Sequence, residues 1–153
     1  VAGKGDLGHL SGHYWLTQDP AARDMLHYLR HAPAGIVLEN EYGNAYTNTS
    51  LYALFSGKPA LLGWPLHLLT WRGDVPDVWA LNTQIQAFYA ATLPDSLDWL
   101  LANQVRYVVW SAAENGKDPQ VFDRLQRQIG GRYQWKPLHV AGDYRVGLWV
   151  RLP

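Results

Sequence analysis

Cysteine is absent from the 153-residue chain, and its absence excludes three kinds of chemistry. The chain can have no disulfide framework, no thiolate ligand for zinc and no cysteine nucleophile. The redox compartment stays open, because a domain without disulfides can be stable on either side of a membrane.

An excess of charge of either sign is also missing. Thirteen basic and thirteen acidic residues cancel to a formal net charge of +0. Nucleic-acid binding and polybasic membrane anchoring both depend on concentrated positive charge. We therefore expect no nucleic-acid partner and no polybasic anchor.

Long hydrophobic runs are absent as well. The longest run, from Ala60 to Trp71, is interrupted by Pro65 and His67 and is shorter than the roughly 20 residues that span a bilayer. The first twelve residues are glycine-rich and lack the apolar segment of a secretory signal. With 48% hydrophobic residues, the chain predicts one soluble domain over residues 1–153, of which residues 1–18 form an irregular leading segment.

Aromatic residues, in contrast, are abundant: the chain has eight Trp and nine Tyr. Such side chains are common where one side is apolar and the other polar, as in sugar sites, interfaces and membrane-facing surfaces. They are equally compatible with a tryptophan-rich core. Both interpretations stay open on composition alone.

Helices and short apolar strands alternate along the chain. Asp19-Pro20 has the form of an N-cap followed by proline in the first turn, and predicts a helix to about His31. Further helices are predicted over 78–89, after Asp95, which should cap its helix, and over 118–129, with a short helix within 44–55 and a loop or irregular helix over 63–74. Buried parallel strands are predicted at 36–39, 59–62 and 106–110.

The last twenty residues show a different period. Apolar residues at every second position from Tyr144 to Leu152 predict a strand, paired with 133–140 across a turn at 141–143. The expected fold is therefore α/β: a three-layer α/β/α arrangement around a mostly parallel, Rossmann-like sheet, with an antiparallel C-terminal hairpin at one edge.

No complete catalytic or cofactor signature accompanies this fold. No GxGxxG follows a predicted strand, and neither a GxxxxGK[ST] loop nor a GxSxG elbow occurs. His27 and His31 have the spacing of two metal ligands, but Arg30 lies between them and no third ligand is evident, so we predict two surface histidines. We expect no metal, no cofactor and no self-sufficient set of catalytic residues.

Five polar or aromatic residues follow the predicted strands, at the sheet edge where open α/β folds bind ligands. They are candidate substrate-binding residues: Glu39, His67, Trp71, Arg72 and Glu114. Together they could hold a sugar by stacking on indole and by hydrogen bonds to carboxylate and guanidinium. They could equally form a structural network in which Arg72 pairs with a glutamate, and spacing alone favours that interpretation.

Four short stretches, at 36–39, 56–59, 62–67 and 71–73, follow one another along the chain. Together they resemble the soluble tail of the YYY-type multi-pass membrane proteins of bacteria and archaea, which are themselves similar to glycosyltransferases of the GT-C type. The resemblance runs from about His9 to the last strand, and its most specific part is Gly-Trp-Pro at 63–65 with His67 and Trp-Arg-Gly at 71–73. The chain departs from the family pattern at Leu68, where a glutamate is usual, and at Leu81, Gln84 and Asn115, which replace other charged residues.

The resemblance implies an extracytoplasmic accessory domain of a glycosyltransferase-like integral membrane protein. Its partner would be the transmembrane portion of the same parent, and it could help to bind a sugar acceptor or a polyprenyl-phosphate sugar without being catalytic alone. Two alternatives stay open: a stand-alone small-molecule enzyme with Glu39, His67 and Glu114 as acid and base groups, and a pure interaction module.

Overall fold

The computed structural model describes residues 18–40, 50–73, 75–116 and 118–153. Within these ranges the chain forms six α-helices and four strands. The helices are α1 (Pro20–His31), α2 (Leu51–Ser56), α3 (Pro65–Arg72), α4 (Pro76–Tyr89), α5 (Ser96–Ala102) and α6 (Gln120–Ile129). The strands are β1 (Ile36–Leu38), β2 (Val105–Trp110), β3 (Tyr133–Ala141) and β4 (Tyr144–Arg151), and a 3₁₀ turn (Ala112–Glu114) follows β2.

The four strands form a mixed sheet in the order β1-β2-β4-β3. Only β1 and β2 are parallel, whereas β4 is antiparallel to both β2 and β3. The mixed α/β class and the C-terminal hairpin are thereby confirmed. The expectation of a mostly parallel sheet is wrong, because the hairpin joins the sheet through β4 beside β2 and contributes two of its three strand pairs.

The predicted strand at 59–62 is reduced to a single parallel bridge between Val37 and Ala60. The Val37 N–H donates to Pro59 O and Leu61 N–H donates to Val37 O, both at 2.9 Å. Pro59 has no N–H to extend this ladder, and β1 is only three residues long. Pro65 then begins α3, so the chain leaves the sheet after one bridge.

The helix-start signals have two outcomes. Asp19 accepts a hydrogen bond from the Ala21 N–H at 2.9 Å, and Pro20 occupies the first turn, which confirms the predicted start of α1. Asp95 occupies the N-cap position of α5, but its φ is +50° and its side chain makes no capping bond. The predicted capping by Asp95 is wrong. The backbone of Asp95 is in the left-handed region, and its carboxylate accepts no hydrogen bond from the first turn of α5.

The core contains two groups of buried residues that draw on alternate positions of the strands. Leu38, Val108 and Trp110 pack with α4, α5 and α6, whereas Val37, Tyr107 and Val109 pack with α1 and α2. The Tyr89 hydroxyl of α4 lies 2.7 Å from Val109 O and 3.1 Å from Leu38 O. This hydroxyl therefore ties together the carboxyl ends of the two parallel strands.

None of the six helices is long and apolar enough to cross a membrane, as far as the described ranges extend.

Candidate functional site

Glu39 and Glu114 meet at the edge of the sheet where the two parallel strands end. Glu39 directly follows β1, and Glu114 ends the 3₁₀ turn after β2. Both residues are buried, with 7% and 4% of their surface exposed. Buried carboxylates require hydrogen-bond partners or protonation, so the contacts of each one show what it does.

The Glu39 carboxylate caps α2. It accepts hydrogen bonds from the backbone N–H groups of Ala53 at 2.7 Å and Tyr52 at 3.3 Å. Ser50, at the N-cap position of this helix, makes no side-chain capping bond, so Glu39, the residue that follows β1, supplies the missing acceptor. Burial, opposed by the Ala53 and Tyr52 N–H donors and assisted by the nearby charge of Glu114, raises the pKa of Glu39 to about 7.

Glu114 is held by its own turn and by the end of β1. One carboxylate oxygen accepts from the Ser111 N–H at 2.6 Å and from the Ser111 hydroxyl at 2.7 Å, completing a capping box around the 3₁₀ turn. The other accepts from the Asn40 side-chain amide at 3.3 Å. Because Asn40 follows Glu39, this amide links the two strand ends directly.

His67, Trp71 and Arg72 lie on α3, a helix that packs against α4. The Trp71 side chain is 85% exposed, and Arg72 is exposed beside it. His67 is half-buried, with its ring edge-on to Trp64 at a centroid distance of 4.6 Å. Among the residues that the structure describes, no ion pair joins Arg72 to a carboxylate.

The five predicted binding residues therefore fall into two groups. The glutamates share a buried network at the sheet edge, and the aromatic and cationic residues belong to an outer helix. A structural network is present around Glu39 and Glu114. Its donors are the Asn40 amide, the Ser111 hydroxyl and backbone N–H groups, and no ion pair of the described residues joins Arg72 to it. Binding of a substrate by these five residues stays a prediction.

A cleft of about 370 Å³ lies beyond the end of β2. Its lining comes from the end of β2, the 3₁₀ turn, the start of α6 and the β3–β4 turn; it includes Trp110, Glu114, Asp118, Phe122, Asp123, Asp143, Tyr144 and Arg145. Sequence reasoning identified only Glu114 of this set. The missing information was the position of β4: because β4 is antiparallel to β2, its first residues lie beside the last residues of β2.

The remaining metal candidate is a histidine pair on α1. The rings of His27 and His31 lie 4.5 Å apart, and His31 Nδ1 is within 2.8 Å of the His27 carbonyl oxygen. No group of three or more His, Asp or Glu side chains suited to a metal ion occurs in the described parts of the chain. The pair thus has no third ligand there.

Comparisons of the chain with protein-family models, with curated proteins and with solved structures gave no match.

Proposed function

We propose that this chain is an accessory, non-catalytic domain of a glycosyltransferase-like integral membrane protein. In this proposal it lies on the extracytoplasmic side and contacts the transmembrane portion of the same parent through α3. The observation that carries the proposal is the exposure of Trp71, at 85% of its side-chain surface, next to the exposed guanidinium of Arg72.

The composition of α3 suits a boundary between apolar and polar surroundings. The helix contains three leucines, a histidine, a tryptophan and an arginine, and no carboxylate. Leu69 is exposed together with Trp71, so two large apolar side chains face outward within three residues. Tryptophan and arginine are enriched at protein interfaces, and tryptophan is typical of the water–lipid boundary.

A sugar acceptor or a polyprenyl-phosphate sugar is the ligand that this proposal would allow at α3. An exposed indole offers a flat apolar face to a sugar ring, and a guanidinium donates two parallel hydrogen bonds to a phosphate. Trp71, Arg72 and His67 would supply these contacts. Glu39 and Glu114 would instead stabilise the sheet edge through their hydrogen bonds.

The hydrogen bonds that the two glutamates already accept support a non-catalytic role. Glu39 accepts from two N–H groups of α2, and Glu114 accepts from Ser111 and Asn40. A general acid or base needs an oxygen within reach of the substrate. Here the carboxylate oxygens already serve capping and network bonds.

We include a three-layer framework in the same proposal. Its support is the division of the strand residues, since Val37 and Leu38 belong to different buried groups and neighbouring strand residues point to opposite faces. The layers would be α1 with α2, the sheet, and α4 with α5 and α6. This arrangement would leave α3 on the outside.

Two experiments test the proposal. The gene that encodes this chain should also encode several apolar segments of about 20 residues. In the full-length parent, a photo-crosslinking residue at Trp71 should join α3 to the transmembrane portion. The matched control is Leu54 on α2, an apolar side chain with 68% exposure, which should not crosslink there. Equal crosslinking from both positions, or a gene without apolar spans, would contradict the proposal.

One observation favours a second candidate, the stand-alone acid–base enzyme. Glu39 has a pKa raised to about 7 by burial and by Glu114, and such a group can both take up and release a proton near neutral pH. A screen of the isolated domain against activated glycosides, sugar phosphates and esters tests this candidate. Turnover that Glu39→Gln abolishes would favour the enzyme over the accessory domain.

A further inference from the structure

We propose that the cleft beyond β2 binds a small organic cation with a planar apolar part, an amidine or an arylalkylamine. This site lies apart from α3, and the inference does not depend on the accessory function proposed above. Three properties of the cleft support it: its shape, its charge, and a cation–aromatic contact that the chain itself makes there.

The shape is that of a small-molecule site. The volume of about 370 Å³ lies within the roughly 300–1,000 Å³ of typical ligand pockets. Its floor contains Trp110 and Phe122, whose rings meet edge-on at 5.5 Å. The cleft also opens at the carboxyl end of β2, next to the parallel pair β1–β2, which is the usual position for ligands in open α/β sheets.

The charge of the lining selects the class of ligand. Among the described residues of the lining, which leave out position 117, four carboxylates lie against one guanidinium, that of Arg145. Asp118 is paired with Arg124 at 2.9 Å, and Asp123 with Arg145 at 3.2 Å. In the described part of the chain Asp143 has no ion-pair partner, so it contributes an unneutralised charge to the rim. The described lining therefore favours a cation over an anion such as a sugar phosphate.

Arg145 indicates how a cation would fit. Its guanidinium carbon lies 4.4 Å from the centroid of the Phe122 ring, within the range of a cation–π interaction. The aromatic floor therefore already accommodates a planar cation from β4. The pair of Arg145 with Asp123 is partly exposed, and exposed ion pairs contribute little. A ligand could compete with Arg145 for this ring and bind Asp143 at the same time.

An NMR titration of the ¹⁵N-labelled chain tests the proposal. The probe is benzamidinium, with neutral benzamide and anionic benzoate as isosteric controls. We expect saturable shifts of the Trp110 indole N–H and the Gly116 amide with benzamidinium, affinity at least fivefold lower for benzamide, and no shift with benzoate. Equal responses to benzamidinium and benzamide, or shifts confined to other surfaces, would overturn the proposal.

Two pairs of variants separate the cleft from general electrostatics. Asp143→Asn should weaken benzamidinium binding at least threefold, whereas Asp98→Asn, an equal charge change on α5, should leave it unchanged. Arg145→Gln should strengthen binding at least twofold by removing the competing guanidinium, whereas Arg127→Gln, on the exposed surface of α6, should not. All four positions are exposed or half-buried, and matching thermal melts confirm folding. Equal effects within either pair would contradict a site in this cleft.

Discussion

Two regions of the molecule use tryptophan in opposite ways. Around Trp149 the rings of Trp110, Phe122 and Trp135 lie within 4.8–5.8 Å of its indole, and Trp149 is fully buried. On α3 the Trp71 ring is 85% exposed. The many aromatic residues therefore serve two purposes, a packed core between β4 and α6 and an outward-facing helix. Composition alone could not distinguish the two.

The same division explains how the two regions should respond to change. The packed region is held by many contacts and by the indole N–H of Trp149, which donates to the Gln126 side-chain oxygen at 2.7 Å. The α3 region is held mainly by its packing against α4. Core substitutions should therefore alter the free energy of unfolding, and α3 substitutions should leave it nearly unchanged and, on the function proposed above, alter contacts with the parent protein.

The largest effect is expected for Trp149→Ala. Removal of a fully buried aromatic side chain leaves a cavity and takes away the donor to the Gln126 side-chain oxygen, at a cost of about 3–5 kcal/mol in the free energy of unfolding. Urea denaturation followed by circular dichroism measures this loss. Trp149→Phe, which preserves part of the ring packing, should cost less. A loss below about 1 kcal/mol for the alanine variant would contradict the packing described here.

The second effect concerns the pH dependence that Glu39 introduces. The pKa of its carboxyl is raised from 4.5 to about 7 in the folded chain. Between these values the folded chain retains a proton that the unfolded chain releases, so the free energy of unfolding falls as pH rises. The loss is absent below about pH 4.5, is complete above about pH 7 and amounts to about 3 kcal/mol.

Glu39→Gln tests this assignment, because glutamine stays neutral and keeps an oxygen that can accept the Ala53 N–H. The difference in unfolding free energy between variant and parent should shift in favour of the variant by about 3 kcal/mol from pH 4 to pH 8. Asp98→Asn is the control, since Asp98 is an exposed carboxyl on α5. A difference that does not change with pH would refute a raised pKa at Glu39.

A smaller effect is expected where Tyr89 ties β1 to β2. Its hydroxyl has one proton for two carbonyl oxygens, those of Val109 and Leu38. Tyr89→Phe leaves both without this buried donor and should cost about 1–2 kcal/mol. Tyr144→Phe, at a tyrosine that is 40% exposed, should change the unfolding free energy by less than about 0.5 kcal/mol. Equal losses in both variants would mean that the hydroxyl does not join the strands.

The predictable parts of the fold are those that depend on neighbouring residues. Asp19-Pro20 specifies the start of α1 through a bond two residues away, and the alternation from Tyr144 onward specifies β4. The run at 60–62 is equally apolar, yet it forms only a bridge. Whether such a run extends into a strand depends on a partner of sufficient length, and β1 ends after three residues.

The candidate site, like the fold, could be predicted only in part. Strand ends placed Glu39 and Glu114 at one edge, because parallel neighbours end together. The position of Arg72 could not be predicted from the sequence, since the path of α3 depends on packing against α4 rather than on the sheet. The cleft was missed for a related reason: Asp118 and Asp143 are distant in sequence and meet only because β4 pairs with β2.

The smallest effect on stability is expected for Trp71→Ala. This variant also tests most directly the difference between the buried tryptophans around Trp149 and the exposed tryptophan of α3. A side chain that is 85% exposed loses little on truncation, so the unfolding free energy should change by less than about 0.5 kcal/mol. On the accessory function proposed above, the full-length parent should nevertheless lose a large part of its activity, because tryptophan is enriched among the few interface residues whose truncation costs about 2 kcal/mol or more of binding energy. Leu54→Ala, at 68% exposure on α2, should preserve both stability and activity. A destabilised Trp71→Ala domain would mean that α3 belongs to the packed core, and unaltered activity in the parent would mean that its exposed tryptophan contacts no partner.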